Sequence, residues 1–77
     1  MELKIFLTSG LTITVKSDEK IVAKDEVTNI LGICDLIEKE KSLVKFSSVL
    51  KDKDGKKIVH HYFIPKERIS WYLIEEA

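Results

Sequence analysis

The chain of 77 residues has little of what most small-protein chemistry is built from: one cysteine, one proline, three glycines, one tryptophan and no glutamine. The lone Cys34 excludes an internal disulfide and any zinc cluster made of several converging thiolates. One proline and three glycines leave no room for a long flexible linker, so a single domain over 1–77 is expected. No apolar run approaches the roughly 20 residues that cross a bilayer, and no membrane association is expected. Met1 is followed by Glu2 and an alternating pattern rather than by the basic region and apolar run of a secretion signal. With one free thiol, the expected setting is reducing and cytoplasmic.

Thirteen acidic residues balance thirteen basic ones, which removes the overall positive charge of a generic nucleic-acid binder. The balance is uneven along the chain. Asp18 to Glu40 carries seven acids against Lys20, Lys24 and Lys39, a net of −4. Lys41 to Arg68 carries eight basic residues against Asp52, Asp54 and Glu67, a net of +5. A fold that keeps those segments apart is a dipole with one basic face.

What is present is strand pattern. Leu3, Ile5 and Leu7 alternate along one run, and Leu11, Ile13 and Val15 along the next, which places one face of each on a core. Thr8, Ser9 and Gly10 supply the turn between them, so a β-hairpin is expected over 2–17. The spacing then lengthens: Val27, Ile30, Leu31, Cys34 and Ile37 recur at three and four residues, and a helix is expected over about 25–40. Asp25 is the expected N-cap, with Asp25 and Glu26 at the positive end of the helix dipole. Gly32 costs about 1 kcal/mol there relative to alanine, and either admits a close approach to the sheet or marks a break.

From Leu43 the period returns toward two. Val44, Phe46 and Leu50 share one side, Asp54-Gly55 is a turn signal, and a second hairpin is expected over 43–64. Pro65 closes its last strand. Residues 66–77 read either as a helix with Pro65 in its first turn or, from Ile69, Trp71, Tyr72 and Ile74, as a short turn at Lys66 to Arg68 and a final strand, and the strand is the favoured expectation. The expected class is mainly β with one helix (α+β), in the order β-β-α-β-β-β. The architecture is either a small, partly open SH3-like barrel or an antiparallel sheet covered by a helix.

His60 and His61 are adjacent, and on a strand adjacent side chains point to opposite faces, so they do not chelate one ion. One is expected to be partly buried with a hydrogen-bond partner and the other to face solvent. Cys34 lies on the apolar helix face, where cysteine acts as a small hydrophobe. Asp52 to Gly55 looks like the start of a calcium loop, but the sixth position is Lys57 rather than glycine and the twelfth is Phe63 rather than glutamate. Phosphate loops, nucleophile elbows and zinc-protease motifs do not occur. Neither an enzyme nor a cofactor or metal site is expected.

The basic hairpin is the more informative feature. Lys45, Lys51, Lys53, Lys56, Lys57, Lys66 and Arg68 surround strands carrying His60, His61, Tyr62 and Phe63, and single-strand binders pair cationic grooves with aromatic platforms. Aromatics on strands more often belong to a core, and lysines around a turn more often solubilise an edge. The leading expectation is a non-enzymatic interaction module that binds a protein partner or itself, with Trp71 and Tyr72 at the contact. The alternative is a nucleic-acid-binding domain using 41–68.

The succession LTSGLTITV, a helix, LVKFSS and IPKERISWYLIEEA resembles small uncharacterised proteins of Gram-positive bacteria, their plasmids and phages. That resemblance implies an SH3-like or related small β-barrel and a mobile-element origin. The closing IPKERISWYLIEE is also similar to the last strand of Sm-like barrels, which place their helix before the first strand, whereas here it is expected after the second.

Overall fold

A computed structural model describes residues 1–76. The first hairpin forms as expected: β1 (Glu2–Leu7) pairs antiparallel with β2 (Thr12–Lys16), and Gly10 in the turn takes φ +94. Leu11 does not join the core face with Ile13 and Val15. It belongs to the turn and is 67% exposed, because the strand begins one residue later.

The expected helix over 25–40 is shorter than its apolar spacing implied. Its first turn is replaced by a second hairpin, β3 (Lys20–Ala23) and β4 (Glu26–Thr28), joined through Lys24 at φ 53 and Asp25 at φ 61. Two successive left-handed residues are the turn that matches the twist of a tight hairpin. Asp25 is therefore a turn residue and not an N-cap. Helix α1 (Ile30–Lys39) starts instead at Asn29, whose Oδ1 accepts from the Gly32 N–H at 2.9 Å. The order becomes β-β-β-β-α-β-β-β, because a Lys-Asp pair makes the turn that an Asn-Gly signal would have advertised.

The second expected hairpin forms as β5 (Leu43–Lys51) and β6 (Lys57–Pro65). Its turn is longer than a two-residue one: Gly55 alone takes positive φ, at 78, and Asp52 Oδ1 accepts from the Asp54 and Lys56 N–H groups. Pro65 ends β6, a single 3₁₀ turn covers Lys66–Arg68, and β7 (Ile69–Glu75) follows as a strand.

The strands form two antiparallel sheets, β2-β1-β7 and β4-β3-β5-β6, which do not close into a barrel. Each contributes one face to the core: Leu3, Ile5 and Val15 from the first, Ile21, Val44, Phe46 and Ile64 from the second. The helix adds Ile30, Ile33, Leu36 and Ile37, a stripe at three- and four-residue spacing. Gly32 admits a close approach: a Cβ there would fall 1.9 Å from Thr28 Oγ1 and 3.2 Å from Thr28 Cβ. Lys66 donates its ammonium to the Ile37 carbonyl, one of the helix-end acceptors that lack a partner within the helix.

Gly32→Ala is expected to destabilise the fold despite alanine's better helix propensity, and to cost less when Thr28 is also alanine. Additive shifts in urea midpoint would contradict that crowding. Ser48, fully buried on the inner face of β5, has no hydrogen-bond partner for its Oγ. Ser48→Ala is expected to stabilise the protein by about 1 kcal/mol, read as a higher urea midpoint.

Candidate binding surface

Strand alternation sorts the residues of the basic hairpin onto two faces. On the inner side of β6, Ile64 is buried opposite Val44, and Tyr62 is half-buried opposite Phe46 with ring centroids 4.8 Å apart. Tyr62 is thus a packing residue rather than an open stacking platform. On the outer side lie Val59, His61 and Phe63, opposite Val49, Ser47 and Lys45.

The two histidines diverge as expected, but neither is buried. His60 points to the inner side and meets Tyr62 edge-on, with centroids 6.2 Å apart. His61 points outward, with Nδ1 2.7 Å from Ser47 Oγ. His60 is exposed although it lies on the inner side between half-buried Ile58 and Tyr62, opposite the buried Ser48. Among the described residues no group of three or more His, Cys, Asp or Glu side chains is placed to hold a metal ion.

The lysines do not act as one set. Lys51 and Lys57 face each other at the base of the hairpin turn, Lys53 and Lys56 lie in it, and Lys45 stands beside Phe63. All five are exposed. Lys66 is withdrawn from this group by its bond to Ile37, and Arg68 lies across the open gap between β6 and the first turn, with Thr8 and Ile64. Sequence pattern missed Lys20, which sheet pairing brings opposite Val49, and Val27, which pairs with Val22 and is 68% exposed. The outer strand positions of this four-stranded sheet carry no carboxylate. Its exposed apolar residues include Val27, Leu43, Val59 and Phe63.

Trp71 and Tyr72 are separated by the same alternation. Trp71 is on the outer face of the three-stranded sheet, stacked on Phe6 at 4.0 Å with 10° between the rings. Lys4 and Glu75 form an ion pair at 2.9 Å on that face. Tyr72 points inward and donates its hydroxyl to Glu38 of the helix. That bond, then burial and the Glu38 charge, push the phenol up to about 12. Burial, with Glu38 adding to it, raises the Cys34 thiol, so the thiolate that nucleophilic chemistry needs is disfavoured.

Beside the four-stranded sheet is an open hollow at the start of β3 and the turn end of the β5–β6 hairpin, with lysines and acids on its wall. It is a shallow surface feature rather than an enclosed chamber. No helix among the described residues is long and apolar enough to cross a membrane.

Because the proton is held more tightly in the folded state, the stabilisation from the Tyr72–Glu38 bond is whole below the ordinary phenol value of 10.0 and is lost as pH rises through about 12. Alkaline absorbance titration is expected to show one phenol ionising near 12, absent in Tyr72→Phe and moved back toward 10.0 by Glu38→Gln. A Tyr72 ionisation that Glu38→Gln leaves in place would contradict the assignment. Compared with family models, curated proteins and solved structures, the chain matches none.

Proposed function

We propose that this protein is a non-enzymatic interaction module. It binds a protein partner or a second copy of itself through the outer face of the four-stranded sheet and the free edge of β6. One observation carries the reading: Val27, Leu43, Val59 and Phe63 are exposed together on a sheet face that no helix covers. Exposed apolar side chains grouped on one face are what contact surfaces are made of. The non-enzymatic part of the reading is supported by the raised Cys34 thiol and the divergent histidines. A reducing cytoplasmic setting, and an origin in mobile elements with an SH3-like or related small-barrel kinship of fold, belong to the same proposal and rest on the free thiol and on the sequence resemblance.

A second reading places single-stranded nucleic acid on the same face. It is favoured by Lys45 beside Phe63 and by Lys20, Lys51 and Lys57 toward the turn end of the hairpin on the same face. Phosphate contacts make such binding fall steeply with salt, whereas apolar association does not. The two separate in an amide chemical-shift titration with a mixed-sequence single-stranded oligonucleotide at low and moderate salt. The interaction-module reading expects the resonances of Lys45, His61 and Phe63 to stay in place. Shifts at those residues that weaken with salt would put nucleic acid first.

A further inference from the structure

The free edge of β6 carries information about its occupant. Two backbone bonds bracket the hairpin ladder: Asp52 N–H to the Lys56 carbonyl at 2.9 Å and Lys66 N–H to the Ser42 carbonyl at 2.9 Å. Bonded and non-bonded pairs alternate between them in an antiparallel ladder. Ile58, His60, Tyr62 and Ile64 are therefore bonded to β5, while Lys57, Val59, His61 and Phe63 turn their N–H and C=O groups away from it. The open gap beside residues 61–65 is bordered on its far side by Leu7, Thr8, Ser9 and Ile13. The run from Ile58 to Ile64 contains no Lys, Arg, Asp or Glu. Natural edge strands are normally blunted by charge, proline or a bulge, and here Lys57 and Pro65 stand only at the two ends.

We propose that a second copy of this chain occupies the edge, β6 pairing antiparallel with β6 about a two-fold axis at His61, so that two four-stranded sheets become one. The proposal rests on the interaction-module reading and names its partner. His61 is the midpoint of the nine-residue strand Lys57–Pro65, so this register uses the whole strand. It sets Val59 against Phe63 of the second copy, Ile58 against Ile64, His60 against Tyr62 and Lys57 against Pro65. Val59, His61 and Phe63, whose N–H and C=O groups are both free, then meet one another across the axis, which a one-residue slip would prevent. At the ends Lys57 meets Pro65, which has no N–H. Slipping by two leaves part of the strand unpaired, and a parallel arrangement sets Lys57 beside Lys57. The His61-centred pairing also covers Phe63 and Val59, which are 66% and 42% exposed in the single chain. Aromatic against β-branched is a favoured cross-strand pair, and symmetry makes it twice. At nine residues the strand is about 30 Å long, which sets the length of the contact.

The test combines mass in solution with a register-specific cross-link. Wild-type protein is expected to sediment as a dimer. Val59→Lys, an exposed outer-face change that leaves the core intact, is expected to weaken association more than ~10-fold with the amide spectrum still folded. In a Cys34→Ser background, His61→Cys is expected to form a disulfide dimer on oxidation, since axial residues lie about 5.5 Å apart between Cα atoms. Lys53→Cys, at the hairpin tip, is expected not to. A dimer that survives Val59→Lys and does not cross-link at position 61 would overturn the β6 pairing while leaving an interaction module that uses another surface. A monomer at every concentration would overturn self-pairing altogether. The oligonucleotide titration then judges the broader reading independently.

Discussion

The whole structure answers to a shortage of chain. A domain this short buries only about 60% of its unfolded surface, so each sheet can dry one face and leaves the other in water. Leu3, Ile5 and Val15 press against Ile21, Val44, Phe46 and Ile64, and the helix stripe fills what the strands leave open. Among the described residues no segment covers the outer faces or closes the gap between the sheets. The free edges and the exposed aromatics follow from that limit.

The β5–β6 hairpin converts this constraint into a surface. Backbone alternation on β6 gives the same residues both the outward side chains and the unpaired edge groups, so Val59, His61 and Phe63 present apolar contact and hydrogen-bonding capacity together. Lysines gather around them because the acids of the preceding segment lie largely on the helix and in the turns. Asp35 pairs with Lys39 and Glu40 with Lys24, away from the outer sheet positions. The chain is neutral as a whole and strongly polarised in places.

The helix depends on contacts that are individually small. Asn29 caps one end, Lys66 answers a carbonyl at the other, Tyr72 ties Glu38 to the three-stranded sheet, and Gly32 lets the first turn sit against Thr28. At ten residues α1 is too short to be stable alone in water, so tertiary packing decides where it begins. That is why its apolar spacing, extended backward to Val27, overstated its length. Val27 is apolar and in phase, yet it lies on a strand and faces solvent.

The sequence by itself determined the mainly β class, the outer two hairpins, the inward set on β1 and β5, and the divergence of His60 and His61. These depend on period-two alternation, on Gly10 and Gly55, and on Pro65, all of which act between near neighbours. It left residues 66–77 open between strand and helix until the pairing of β7 with β1 decided it. Only the tertiary structure decided the β3–β4 hairpin, the pairing of β1 with β7, the placement of Lys20 and Val27 on the candidate face, and the removal of Lys66 from it. It also put Trp71 and Tyr72 to different uses, one stacked on Phe6 in solvent and one bonded to the helix. Which strands lie side by side depends on contacts far apart along the chain, and a lysine at a helix carbonyl has the same local pattern as a lysine in water.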